Sequence, residues 1–213
     1  FCELIWKIEQ NIQNRLTMSK KILVMAGGTG GHIFPALAIA KELHKRGTVV
    51  EWLGGKNSME SRLVPEYGYK FHGVYTSGLR GKNLLTILKA MLLLGFGLVQ
   101  TVIVFTKFRP NKVIGMGGYA SGIGGLIAKF SFTPLIIHEQ NTVPGTTNKL
   151  LSKLSTKCFQ AFENTFHENV KAITTGNPIL FNPIPKVEPK SIKNILVLGG
   201  SLGAKKINQT IPH

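Results

Sequence analysis

The chain is 213 residues long, 43% hydrophobic and 17% charged, a composition that supports one or two packed domains and excludes a disordered chain. Lys and Arg number 26 against 10 acidic residues; the resulting net charge of +16 favours an anionic partner such as a phosphorylated substrate or an acidic lipid. All ten acidic residues are glutamates, so neither an Asp-x-Asp metal clamp nor a Ser-His-Asp triad can be assembled. Cys2 and Cys158 are too few for a disulfide framework or a thiolate metal site, and the six histidines lack His-x-x-x-His spacing. No metal or cofactor is expected, and nucleic acid is not an expected partner, since no RNP-like aromatic segment, zinc-ligand spacing or basic helix is present.

Residues 1–17 scatter Trp6, Ile8 and Ile12 among polar residues, without the apolar core or cleavage site of a signal peptide. Met18-Ser19-Lys20-Lys21 then resembles a fresh start, and 1–17 is read as a leader or mis-assigned start. A strand over Ile22–Met25 follows. It leads into Ala26-Gly27-Gly28-Thr29-Gly30-Gly31-His32 and a helix predicted from about Pro35 to Arg46, with Gly47 just beyond. Glycines here let the backbone turn sharply and approach a bulky partner, and the helix start supplies unpaired N–H groups, so a phosphate or pyrophosphate is the natural guest. An ordinary β-to-α turn is the alternative. The dinucleotide fingerprint fails because Ile33 stands where its last glycine belongs, which argues against a nicotinamide oxidoreductase, and no Gly-Lys-Ser/Thr completes a P-loop.

A second strand, Val49–Leu53, ends at Gly54-Gly55. A helix near Met59–Glu66 and a strand over Lys70–Tyr75 come next. Strand and helix alternating at these lengths predict a parallel sheet covered by helices, with ligands outside the carboxyl ends of the strands, where Gly27–His32 would lie. Asn83–Thr106 carries one charge, Lys89, in 24 residues. As a single helix it would be ~36 Å long, enough to cross a bilayer core of ~30 Å. Lys89, Gln100-Thr101 and two potential breakers, Gly95 and Gly97, favour instead a helix that is partly core and partly membrane-surface. Arg80, Lys82, Lys89, Lys107 and Arg109 flank or punctuate it, and Leu84, Leu88 and Leu92 are its apolar surface candidates; cations around apolar surface suit anionic lipid.

A strand at Lys112–Ile114 enters a second glycine cluster, Gly115-Met116-Gly117-Gly118-Tyr119-Ala120-Ser121-Gly122, before a helix predicted over Gly124–Phe130. A strand over Pro134–His138 ends in His138-Glu139-Gln140-Asn141, four polar groups at a strand's carboxyl end, and a helix runs to about Ser155. Thr174-Thr175-Gly176-Asn177-Pro178 closes a first domain over 18–178. The segment 179–193 has the composition of a proline-rich linker. A strand over Asn194–Leu198, a third glycine loop around Ser201 and a helix from about Ala204 read as the start of a second domain over 194–213, truncated just inside it.

Six stretches in this order resemble the MurG family of N-acetylglucosaminyltransferases: 26–32, Ser77–Lys82, Gly115–Tyr119 with Ser121-Gly122, His138–Asn141, Gly176–Pro178 and Gly199–Ser201. The resemblance implies an α/β fold of GT-B type: a Rossmann-like N-terminal domain plus the first strand-loop-helix of a second. It implies inverting transfer of GlcNAc from UDP-GlcNAc to the 4-hydroxyl of MurNAc in undecaprenyl-pyrophosphoryl-MurNAc-pentapeptide, at the cytoplasmic face of the inner membrane, by a peripheral protein that meets anionic lipids. Thr29, Gly30 and Gly31 match the loop lining the cleft at the donor sugar, Asn141 the GlcNAc-contacting asparagine and Ser201 the diphosphate-contacting serine. His32 matches a candidate general base, with Glu139 a rival and a merely capping histidine the alternative. The loops around Gly28 and Gly118, with Tyr119 in the same motif, would offer N–H groups to the acceptor's pyrophosphate. Two departures stand out: Leu180 occupies a position where the family usually has a donor-contacting arginine, and Leu202 replaces a glutamine. Alone, this stretch is expected to bind lipid surfaces but turn over little. A non-catalytic module binding anionic or pyrophosphoryl lipid is the competing expectation.

Overall fold

The computed structural model describes residues 20–76, 84–181, 196–197 and 205–210, with 84–90, 205, 206 and 208 by backbone alone. Among the described residues there are seven strands: β1 (Lys21–Ala26), β2 (Val49–Gly55), β3 (Lys70–Val74), β4 (Lys112–Gly117), β5 (Leu135–Glu139), β6 (Lys157–Gln160) and β7 (Ile173–Thr174). They form one parallel sheet in the order β3-β2-β1-β4-β5-β6-β7. The helices are α1 (Gly30–Lys45), α2 (Met59–Glu66), α3 (Leu84–Phe108), α4 (Tyr119–Phe130), α5 (Thr146–Leu151) and α6 (Lys205–Thr210). The chain divides into two units, Phe1–Phe181 and Asn182–His213; in the second, α6 is the described helix.

Strand β1 is central and alternates strictly between two cores. Ile22 and Val24 join Ile39, Leu43 and Trp52 in one cluster, while Leu23 and Met25 join Leu53, Val104 and Phe105 in the other. Burial on both faces explains why the strand reads as an unbroken apolar run. The order reverses direction between β1 and β4, the switch point at which ligands of doubly wound sheets bind.

Several boundaries differ from the sequence expectation. Helix α1 begins at Gly30 rather than near Pro35. Thr29, extended at φ −140°, accepts at its carbonyl the N–H groups of both His32 and Ile33 and so starts the helix, leaving Pro35 inside the second turn. Likewise β4 runs on to Gly117 and α4 begins at Tyr119, so the second glycine cluster is strand and helix with Gly118 alone as the turn. The short strands β6 and β7 have no counterpart in the expected elements.

Helix α3 is continuous through Gly95 and Gly97. Its 25 residues give ~37 Å, against ~20 Å for a six-residue strand, so nearly half its length has no sheet beneath it. The C-terminal part is core, with Thr101, Val104, Phe105 and Phe108 buried. The polar residues in its middle serve as the joint: a Cβ on Gly97 would fall on the Tyr75 carbonyl, Gln100 Oε1 accepts the Tyr75 N–H at 2.9 Å, and Thr101 Oγ1 donates back to Gly97 O at 2.7 Å. Met91–Phe108 is nevertheless long and apolar enough to cross a membrane by length and composition.

The end of β5 is tied to the 176–177 turn by His138, which is 1% exposed. Its Nε2–H donates to the Gly176 carbonyl at 3.1 Å, so Nδ1 is the acceptor for Gln140 Nε2 at 3.1 Å. Burial pulls its pKa down to about 4, against the opposing pull of the Gly176 hydrogen bond and the Glu139 charge. The unfolded chain therefore binds a proton that the folded chain refuses. Stability is full above pH 6.5 and falls as pH drops toward 4, by about 3 kcal/mol in all. Urea unfolding across this window should show that slope in the parent chain. His138→Gln should be less stable at pH 7 yet flatter between pH 6.5 and 5; parallel curves would contradict this origin.

Candidate active site

The turn after β1 is built around a carboxylate. Glu60, on the first turn of α2, is 2% exposed. A Cβ on Gly27 would fall on its carboxylate, and one on Gly54 would stand 2.7 Å from its Cγ. The glycines ending β1 and β2 thus make room for an internal side chain. Glu60 accepts the Gly55 N–H at 2.9 Å and, over a longer 3.4 Å, the Gly28 N–H. The Gly28 amide is therefore turned toward a carboxylate, whereas the first-turn N–H groups of Gly30 and Gly31 have no place in the intrahelical ladder and remain for a ligand.

The second turn packs against the first. A Cβ on Gly118, at φ +85°, would stand 2.5 Å from the Gly27 carbonyl oxygen, and one on Gly117 would stand 2.8 Å from the His32 ring. His32 Nδ1 lies 3.2 Å from Thr29 Oγ1. When Nδ1–H donates to that hydroxyl, Nε2 is left as the basic nitrogen. Ser121 fastens α4 beneath, its Oγ within 2.6 Å of Met25 O and 2.7 Å of Gly117 O. Tyr119 is 56% exposed beside Gly118.

At the end of β5, Glu139 is fully buried. Its Oε1 accepts the Gln140 and Asn141 N–H groups and Asn141 Nδ2, at 2.9 to 3.1 Å; Oε2 accepts Gly145 N–H at 3.1 Å and Asn148 Nδ2 at 2.9 Å. Five donors occupy both oxygens. This is a clamp on the 140–148 loop, with both oxygens of Glu139 already engaged. The clamp fixes the exposed Asn141 with Nδ2 turned inward and Oδ1 offered outward. The loop is further tied by Asn177 Nδ2 to Gln140 O at 3.1 Å and by Gln140 Nε2 to Met116 Sδ at 3.8 Å.

Gly28, Thr29, Gly30, Gly31, His32, Gly118, Tyr119 and Asn141 thus share the carboxyl rim of the adjacent strands β1, β4 and β5. Leu180 packs against the apolar core cluster, so no cation stands at that position. Leu92 is 62% exposed on α3; the side chains of Leu84, Leu88 and Lys89 lie outside the described residues, as do Ser201, Arg80 and Lys82 altogether. Glu60, Asn148 and the His138–Gly176 tie are absent from the sequence expectation, as is the fastening role of Ser121. The signal for Glu60 was a carboxylate four residues before Val64 on the buried side of α2, next to Gly54-Gly55.

Residues 22–160 match the glycosyltransferase family 28 N-terminal domain. A protein of Vesicomyosocius okutanii subsp. Calyptogena okutanii (strain HA), named UDP-N-acetylglucosamine--N-acetylmuramyl-(pentapeptide) pyrophosphoryl-undecaprenol N-acetylglucosamine transferase, is 54% identical over 193 residues, covering 91% of this chain and 56% of that protein. Its namesake in Shewanella baltica (strain OS155 / ATCC BAA-1091) is 48% identical over 199 residues, covering 91% of this chain and 55% of its own. The crystal structure of Acinetobacter baumannii MurG superposes with a TM-score of 0.70 at 34% identity, over 90% of this chain and 53% of that one. The chain thus spans a little over half the length of these relatives. Its fold is the Rossmann-like N-terminal domain of GT-B glycosyltransferases, and the chain belongs to glycosyltransferase family 28.

Proposed function

We propose that the protein takes part in transferring N-acetylglucosamine from UDP-N-acetylglucosamine to the 4-hydroxyl of MurNAc in undecaprenyl-pyrophosphoryl-MurNAc-pentapeptide, a step of peptidoglycan synthesis, and that this domain holds the acceptor. The observation that carries this reading is the convergence of His32, the free amides of Gly30 and Gly31, and Asn141 on one rim at the β1/β4 switch point, in a chain 54% identical to a transferase of that name.

In this reading His32 Nε2 takes the proton of the acceptor hydroxyl as that oxygen attacks the anomeric carbon of the donor sugar. The bond from that carbon to the UDP oxygen breaks on the opposite face, so the configuration inverts and UDP departs with the electron pair. Thr29 orients the imidazole. The Gly30 and Gly31 amides and the positive end of α1 receive the acceptor's pyrophosphate, with the Gly118 turn as the adjoining wall. Asn141 offers Oδ1 to a hydroxyl or amide donor on the sugar. Glu139 holds Asn141 in place and stays out of the proton transfer. Ser201, outside the described residues, keeps its role at the donor diphosphate.

We further infer attachment to the cytoplasmic face of the inner membrane, as a peripheral protein, through the part of α3 that extends past the sheet. Met91, Leu92, Phe96 and Val99 are 58 to 64% exposed there. With the +16 charge of the chain they suit an anionic lipid surface. The same patch is what favours the competing reading, a lipid-binding module without catalysis.

Two measurements separate these readings. In a chain completed with a donor-binding domain, His32→Ala and Asn141→Ala should each lower GlcNAc transfer to the lipid acceptor by roughly a hundredfold or more while leaving vesicle binding intact; transfer at the parental rate in His32→Ala removes the base assignment. The double substitution Leu92→Ser with Phe96→Ser should weaken cosedimentation with phosphatidylglycerol vesicles by at least roughly tenfold, because two large apolar side chains leave the interface. Unchanged binding would reject α3 as the attachment face.

A further inference from the structure

At the opposite end of the sheet from His32 lies a cavity of about 550 Å³. It is bordered by the first residues of the three strands β1, β2 and β3, namely Lys21, Val49 and Lys70, and by the last turns of α3. A strand length, ~20 Å, separates it from the rim already described. Its wall is apolar, formed by Ile103, Val104 and Phe108. Its polar lining is cationic: the ammonium groups of Lys21, Lys70 and Lys107 and the His72 imidazole surround one carboxylate, Glu51.

That carboxylate is already committed. Glu51 Oε1 pairs with Lys70 Nζ at 3.1 Å and Oε2 with His72 Nε2 at 2.5 Å. Lys21 Nζ sits 5.8 Å from the Phe108 ring centroid, a cation–π contact, and neither it nor Lys107 has a carboxylate partner among the described residues. One carboxylate against three ammoniums leaves an excess of two positive charges facing one concave, apolar-walled space.

We propose that this cavity is a second binding site, for a small phosphate monoester whose organic part is apolar or aromatic. A phosphate monoester carries about −1.5 to −2 charge near pH 7, which matches the excess, and lysine is a point-charge partner suited to phosphate. The organic part would lie against Phe108, Val104 and Ile103. The volume falls within the roughly 300–1,000 Å³ range of small-molecule sites. Because the site lies at the amino ends of the strands, its ligand binds without competing for the Gly30–Gly31 amides. It touches α3 in the half that packs on the sheet, so occupancy bears on the helix whose other half extends past it.

The test is titration of the ¹⁵N-labelled 213-residue protein with phenyl phosphate in 150 mM NaCl. Saturable shifts are expected at Lys70–His72 and Lys107–Phe108. Inorganic phosphate should bind there at least fivefold more weakly, since it cannot use the apolar wall. Lys21→Ala with Lys107→Ala should cost tenfold or more in affinity, and exposed Lys107→Ala alone should lower it measurably should the double variant fold poorly. Lys41→Ala, exposed on α1 away from the cavity, should change nothing. Absence of saturation, equal weakening by Lys41→Ala, or shifts confined to Gly28–Gly31 would overturn the proposal.

Discussion

Two backbones meet at the switch point of the sheet with no side chain between them. The Gly27 carbonyl oxygen lies 2.5 Å from where a Cβ on Gly118 would stand, so any other residue at 118 would push the β4–α4 turn off the β1–α1 turn. This contact sets the distance between the amino ends of α1 and α4, and it brings the His32 ring against Gly117. Ser121 reinforces it by reaching both Met25 O and Gly117 O from α4. The loops around the site are therefore held by backbone packing and strand-end hydrogen bonds, which fixes the position of His32 before any substrate arrives.

Buried carboxylates then shape the rim. Glu60 and Glu139 lie at the carboxyl ends of the strands, each among backbone N–H donors, and neither is open to solvent. A carboxylate under the Gly27–Gly28 turn makes its floor electronegative, so the part of the turn that can host a phosphate moves outward, to the first turn of α1. Glu139 does for Asn141 what Thr29 does for His32: it fixes the orientation of a side chain that faces outward. Burying each carboxylate is costly, and the glycines beside Glu60 and the five donors around Glu139 are the local compensation.

The alternation of strand and helix, and the placing of the glycine loops and His138–Asn141 at strand ends, were legible because parallel strands buried on both faces stand out as apolar runs. What stayed hidden has specific causes. Pro35 reads as a helix start, yet the carbonyl of Thr29 had already begun α1 five residues earlier. Strands β6 and β7 are four and two residues long and too short to show a period. Glycine clusters read as phosphate loops, although Gly27 and Gly54 are small for the sake of Glu60, a residue 33 positions from one and 6 from the other. Such long-range steric reasons leave no local pattern. Likewise the motif His138–Asn141 signals polar groups at a strand end but not that three of the four are buried.

Helix α3 shows why composition alone could not separate a span from a surface helix. Its length and hydropathy pass the test for crossing a membrane, but Gly97, Gln100 and Thr101 form a polar joint against Tyr75, and beyond Thr101 the side chains of Val104, Phe105 and Phe108 are buried in the core. A span would require the buried Phe105 and Phe108 to abandon the core that Leu23, Met25 and Leu53 complete. The helix is thus a lever anchored at one end, with apolar surface at the other next to the rim that carries His32. Under the proposed function this arrangement would let a lipid-linked acceptor keep its apolar chain against the exposed face of α3 while its pyrophosphate reaches the amides of Gly30 and Gly31. A helix ending level with the strands would offer no such apolar surface beside the rim.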